Sequence, residues 1–397
     1  MKGMIHALRR TLNAVDPWLE IIFPISTALI CARQRTAGYS LLAIFLFLRL
    51  LKRCEEESWN WILISILILN SGLIIQDQDL KPGGPSDYLI VALSLSAGIG
   101  RSELQWKRSV FWMTSCIVPL LFFSLQAADK MIIGNSSFAG FNINKIAFLA
   151  GLTTILAYGH IKQSAKTPAQ VFPILFFFAG IWEAWLSGSR AAMAAPAIAI
   201  AIDYLRSLKW TPARITTTCA IGVSTVLAII HLWYGDFSLK SNALSDLNRI
   251  ETVRCWTEQT LDTPNGLVFG AGFNNTPRSE CGPDRIPSLA LMQKREGLGH
   301  AHNLYAQIFS ETGLPGLLLF TGLTVAAIVK GWIQRTSEYM RFTFPLVCYL
   351  FLMALGITFW QVMMINQVLV GYSLAALTAK ESGSAAASAA TPPTQPI

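Results

Sequence analysis

Apolar residues run along this chain in blocks roughly 15 to 20 residues long, the length needed to cross a hydrocarbon core. The blocks predict membrane helices over 18–32, 37–51, 59–75, 88–100, 110–128, 146–160, 171–186, 191–205, 215–234, 314–332, 342–359 and 362–379. The pattern therefore predicts an all-α polytopic membrane protein of about twelve transmembrane helices. An even number of spans puts both termini on the same side. Residues 1–380 form a single transmembrane domain in this reading. The tail over 381–397, rich in Ser, Ala and Pro, lacks the apolar surface to fold and is expected to be disordered.

One polar stretch, 235–312, is too long to be a simple connection and is expected to hold short helices of its own. A helix is predicted over 248–261, capped by Asp246 or Asn248, with Ile250, Val253, Trp256 and Leu261 on one apolar face. Pro264 ends it, the turn Gly270-Ala271-Gly272 follows, and 276–287 reads as an irregular loop. The stretch closes on a polar knot. His300 and His302 sit two apart, and Asn303 precedes an amphipathic run with Leu304, Tyr305, Ile308 and Phe309 at helical spacing. Glu311 comes next, and Gly313, Pro315 and Gly316 break the run at the threshold of an apolar span.

Charge gives the orientation. The 397 residues are 53% apolar and 14% charged, with a net charge of +8. With the N-terminus inside, the short inner loops contain Lys52, Arg53, Arg101, Lys107, Arg108, Lys162, Lys166, Arg206, Lys209, Arg214, Lys330, Arg335 and Arg341. The alternate short loops hold far fewer, among them Arg33, Arg35, Lys81, Lys130 and Arg190. This asymmetry places both termini in the cytoplasm, and the 235–312 loop and the turn Ser187-Gly188-Ser189-Arg190 on the outer face. It also accounts for the positive charge without a nucleic-acid partner, since no basic face with interleaved aromatics accompanies it. Residues 1–10 form a basic amphipathic leader with no small-residue cleavage site behind it.

Of seven cysteines, Cys31, Cys54, Cys116, Cys219 and Cys348 lie in or near spans, where Cys acts as a small hydrophobe. Cys255 and Cys281 share the outer loop. They are either a disulfide tying its helix to the Pro-rich loop or two free thiols. No metal is expected: there is no CxxC spacing, and His300, His302 and Glu311 make a poor ligand set.

The run His302-Asn303, nine residues, Gly313, two residues, Gly316 resembles the signature of the O-antigen ligase and polymerase superfamily, membrane glycosyltransferases that use undecaprenyl-pyrophosphate-linked glycans. Ser187-Gly188-Ser189-Arg190 resembles that family's outer-face SxSR turn. Arg249, fifteen residues before Pro264 and followed by Gly270 and Gly272, resembles its arginine, helix, proline, GxG block. The resemblance covers roughly the second half of the chain. Where family members often carry an aromatic four residues after the arginine, this chain has Val253, with Trp256 later, so Arg249 and Arg254 both stand as candidates. The resemblance implies a multi-pass protein of the bacterial inner membrane with its active site on the periplasmic face. It implies transfer of a polysaccharide from undecaprenyl pyrophosphate to a sugar hydroxyl of lipid A-core in lipopolysaccharide biosynthesis, inverting and without cofactor or metal. The polymerase acting on the same lipid carrier and a protein O-oligosaccharyltransferase are the enzyme alternatives, and a transporter or flippase is the non-enzyme one.

The chemistry of such a transfer asks for particular side chains. A sugar hydroxyl needs a base of near-neutral pKa as it attacks the anomeric carbon, which suits His302. The leaving pyrophosphate needs fixed cations, which suits Arg190 with Arg249 or Arg254, because the guanidinium fork binds phosphate oxygens bidentately. Glu311 joins His302 as a candidate, more as an orienting acceptor than as a base. His300, Asn303, Gly313 and Gly316 are supporting residues. Each has a plainer reading. His302 is also what a backbone-bonded helix-entry residue looks like, Arg190 a lipid-headgroup anchor and Arg254 a solvated charge. Glu183, Asp203 and His231, near span ends, read as structural.

Overall fold

The computed structural model describes residues 143–163, 171–186, 189–207, 239–272, 280–291, 301–334 and 338–356, with a few isolated positions besides. The spans expected at 18–32, 37–51, 59–75, 88–100, 110–128, 215–234 and 362–379, the 381–397 tail, His231 and His300 lie outside the described residues, isolated positions aside. Among the described residues the chain is all-helical, with no strand. One described helix, Leu304–Ile333, is long and apolar enough to cross a membrane.

Helices α1 (Ile143–Gln163), α2 (Val171–Leu186), α3 (Arg190–Ser207), α7 (Leu304–Ile333) and α8 (Glu338–Gly356) pack as a bundle. Small residues let them approach. Ala147, Ala150, Ala184 and Ala192 form one buried cluster at the α1, α2 and α3 contact. A Cβ on Gly180 would lie 2.8 Å from the Ala150 carbonyl oxygen, so α2 meets the α1 backbone directly. Buried hydroxyls on α1 are satisfied within the helix, Thr153 donating to the Leu149 carbonyl (2.9 Å) and Thr154 to that of Ala150 (3.0 Å). The Tyr349 hydroxyl of α8 donates to the Phe148 carbonyl at 2.7 Å, fixing where α8 crosses α1.

The bundle has two distinct ends. At one, α1, α3 and α7 finish together around Asp203, which is fully buried. Its carboxylate accepts from Tyr158 Oη (2.9 Å), Lys162 Nζ (2.5 Å) and Arg206 Nη2 (2.7 Å). Arg206 also donates to the Gly331 carbonyl at 2.6 Å and stacks over Phe344 of α8, 4.3 Å from its ring centroid. This corrects two expectations. Lys162 and Arg206 were expected in loops; both belong to helices, which run to Gln163 and Ser207, and both pair there with Asp203.

At the other end α3 and α7 begin and α8 finishes. Outside the bundle here lie α4 (Leu239–Asp262), α5 (Gly266–Phe269) and α6 (Pro287–Leu291), with α4 and α5 packed on α7. Helix α4 starts earlier than the expected residue 248, and its buried face also differs from expectation. Ile250 and Leu261 are exposed, at 67% and 52%. The buried stripe is instead Asn248, Thr252, Cys255, Trp256 and Thr260. Thr252 and Thr260 can be buried because their hydroxyls donate to the carbonyls of Asn248 (2.6 Å) and Trp256 (2.8 Å) one turn back.

Candidate functional site

The knot around His302 is built on the start of α7. Asn303 has extended backbone (φ −145, ψ 122), and its side-chain oxygen accepts from the Ala306 N–H at 3.0 Å, an N-cap of the ordinary kind. Its Nδ2 donates at 3.0 Å to the Leu355 carbonyl, one of the last in α8. A single side chain therefore caps the start of α7 and the end of α8. Helix α3 begins in a similar way, with Ser189 Oγ 3.4 Å from the Ala192 N–H and Arg190 as the first helical residue. A Cβ on Gly356 would lie 3.4 Å from the Ala191 Cβ. The last turn of α8 thus touches both starts, and the backbones of Arg190 and Asn303 gather at one end of the bundle.

Between Ala301, fully buried, and Asn303, His302 is half-buried with a positive φ of 54°. A left-handed backbone costs a non-glycine residue about 1–2 kcal/mol, so the surrounding structure must hold it there. Gln307, fully buried, provides one hold. Its Oε1 accepts from the Ala301 N–H at 3.1 Å, and its Nε2 donates to Glu311 Oε1 one turn further on. Glu311 is itself buried, at 4% exposure, which fits an anchoring acceptor better than a carboxylate facing substrate.

The helix that carries these residues breaks at Gly313 alone (φ 71, ψ −167). Pro315 and Gly316, expected to belong to the break, lie in the first turn of the segment after it, where a proline's missing N–H costs nothing. The turn Gly270-Ala271-Gly272 fits into this break. Ala271 N donates to the Ser310 carbonyl at 2.6 Å. A Cβ on Gly270 (φ 73) would come within 2.5 Å of the Glu311 carbonyl carbon, and one on Gly313 within 2.6 Å of the Val268 carbonyl. Two sequence blocks some forty residues apart are therefore clasped backbone to backbone, and glycine is required on both sides. The Thr260 and Ser310 hydroxyls, 3.0 Å apart, add α4 to the clasp.

Cys255 and Cys281 are joined by a disulfide. It lies in a core with Trp256, Ile286, Leu289 and Ala301, so the same core supports the residue before His302. Closing a loop with a sequence separation of 26 residues restricts the unfolded chain by ~3.5 kcal/mol on the chain-entropy model. Glu251 accepts from both the backbone N–H (3.1 Å) and the hydroxyl (2.5 Å) of Ser288, pinning α6 to α4.

The two candidate arginines of α4 face different ways. At about 100° per residue, Arg249 flanks the buried stripe and is half-buried, whereas Arg254 lies on the far face with Ile250 and Leu261. Arg254 Nε donates to Glu258 Oε1 at 2.7 Å, its side chain 79% exposed. That hydrogen bond, with the Glu258 charge, holds the Arg254 pKa above its ordinary value.

Gln307 was missed in the sequence because a lone glutamine belongs to no motif. Its signal was the one-turn spacing to Glu311 within an otherwise apolar stretch. Among the described residues no three His, Cys, Asp or Glu side chains group as metal ligands. The chain matches no protein-family model and no curated protein sequence.

Proposed function

We propose that this chain is an inner-membrane glycosyltransferase of the O-antigen ligase type, with about twelve spans and its site on the periplasmic face. It transfers a polysaccharide from undecaprenyl pyrophosphate to a sugar hydroxyl of lipid A-core. The observation that carries the reading is the clasp between the Gly270-Ala271-Gly272 turn and the 310–313 backbone, which joins two of the blocks on which the family resemblance rests. The third block, at Ser189 and Arg190, starts its helix at the same end of the bundle as Asn303.

Two further features support a membrane setting. Helix α2 exposes Phe172, Leu175, Phe178, Trp182 and Trp185, a contiguous apolar surface that lipid accepts and water does not. The Cys255–Cys281 disulfide agrees with an oxidising compartment for the outer lobe.

In the proposed mechanism His302, half-exposed and held in a fixed backbone conformation, takes the proton of the acceptor hydroxyl as its oxygen attacks the anomeric carbon. The glycosidic bond to pyrophosphate breaks on the opposite face, inverting the centre. Arg190 and Arg249 hold the departing pyrophosphate, and Arg254 stays in solvent. Deleting the chain from cells that make it and analysing their lipopolysaccharide tests the reading. Loss of all O-chains from core is the expected result. Retention of one repeat unit on core identifies a polymerase, and unchanged lipopolysaccharide with unglycosylated protein identifies a protein O-oligosaccharyltransferase.

A further inference from the structure

We propose that Gln307 is a positioning residue, which couples the buried Glu311 to the backbone of His302 and so sets the base for transfer. The proposal rests on the ligase reading for the word base, but the geometry behind it does not. Ala301 N–H is a donor, so the amide of Gln307 must present Oε1 to it and Nε2 to Glu311. The opposite orientation would set two donors face to face. Glu311 must then accept, and the relay has one direction: Ala301 N–H to Gln307, Gln307 to Glu311.

The relay holds the near side of His302. Asn303 holds the far side through its cap on Ala306 N and its bond to the Leu355 carbonyl. His302, with φ 54, is the residue between the two anchors. Burial makes the relay strict: Gln307 is fully buried and Glu311 nearly so, and a group there that loses its partner is not compensated by water. A carboxylate at position 311 thus serves to fix a backbone through an amide.

That polarity yields a test in which the two side chains trade places. Gln307→Glu sets two carboxylates together in a buried site and removes the donor to position 311. In the double variant Gln307→Glu/Glu311→Gln, the carboxylate at 307 accepts from Ala301 N–H and from the new amide at 311, restoring both bonds. Gln307→Met removes both with little change of volume. The readout is the rate at which diethyl pyrocarbonate modifies His302 in the purified full chain, resolved by mass spectrometry, with glycan transfer measured on the same samples. Gln307→Met and Gln307→Glu should change His302 reactivity and lower kcat on the order of tenfold, the factor for one lost bond to a charged group. The exchange should return both to within a few-fold of the unmodified protein, and Glu311→Gln alone, which still accepts from Gln307, should lose only a few-fold.

An exchanged protein whose His302 reactivity is as altered as in Gln307→Glu would overturn the proposal, as would a Gln307→Met protein with unchanged reactivity and transfer. If Gln307→Met does not fold, the exchange alone decides. A full reactivity cycle in a protein that transfers no glycan supports the positioning of His302 and removes the ligase reading. Normal transfer in Gln307→Met removes the positioning role and leaves the ligase reading intact.

Discussion

The two ends of the bundle are closed by opposite means. At the Asp203 end, charge closes the structure: one buried carboxylate takes three donors, and Arg206 is held by Asp203, the Gly331 carbonyl and the Phe344 ring. At the His302 end the closure leans on backbone, through glycines fitted against carbonyls and through one asparagine that caps two helices, with a single buried carboxylate, Glu311, bonded to the amide of Gln307. The difference has a chemical consequence. The Asp203 carboxylate is fully buried with three donors on it, so it is withdrawn from solvent. At the other end His302 and Arg249, the residues proposed for base and anion clamp, are each half-exposed.

The sharpest break between the ends should come from His302 itself. His302→Ala is expected to lower turnover by ~10²–10⁴-fold, the range for loss of a general base, while binding of the pyrophosphate lipid persists. His302→Gly should be equally inactive yet more stable to heat than His302→Ala, because glycine accepts the positive φ. A His302→Gly protein less stable than His302→Ala would mean that the backbone strain is not real. At the other end Asp203→Ala should act on stability alone. It strands Arg206 and the Lys162 ammonium, and should cost about 3–5 kcal/mol, seen as a lower melting temperature in detergent, with normal transfer by the molecules that remain folded. Transfer lost in step with His302→Ala would show that the charged end belongs to the site.

Gly313→Ala tests the backbone closure. The left-handed φ and the Val268 carbonyl 2.6 Å from a new Cβ together should cost roughly 1–3 kcal/mol, with stability and transfer falling together. Gly322→Ala in the same helix is the control. A Cβ there meets nothing within 4 Å, so the substitution should stabilise by about 0.5–1 kcal/mol through helix propensity.

What could be read from the sequence divides along the same line. Apolar length located the cores of α1, α2, α3, α7 and α8, because the requirement to fill a long apolar helix is written in consecutive residues. The Gly313 break was legible because glycine and proline punctuate a helix by local geometry. The charged end was not, since Lys162 and Asp203 lie 41 residues apart and nothing local marks them as partners. The buried face of α4 was read correctly at Trp256 and wrongly at Ile250 and Leu261, for a different reason. Hydrophobicity points to Ile250 and Leu261, but the stripe with Thr252 and Thr260 is the one that can lie against α7, its hydroxyls being satisfied by the helix's own carbonyls. Gln307 carried only its one-turn spacing to Glu311 as a signal, and the other half of its role depends on a backbone N–H six residues earlier that only the fold supplies.

The smallest effect concerns the arginine left open by the sequence. Arg254 and Arg249 lie on one helix, five residues apart, so they point about 140° from each other. Arg254 is on the exposed face, and its bond to Glu258, one helical turn on, is between two solvated side chains. Such pairs gain little, since water and salt screen the charges and ordering two long side chains has an entropic cost. Arg254→Ala should therefore change neither the melting temperature nor donor binding measurably, at low or high salt. Arg249→Ala should weaken binding of the pyrophosphate lipid, and Arg249→Lys should restore only part of it, because an ammonium cannot reproduce the bidentate fork. Titrating both alanine variants with the same donor lipid decides the point. Equal loss in both would mean that the donor reaches around α4 to its exposed face, and Arg254 would then have to be counted among the groups that hold the pyrophosphate.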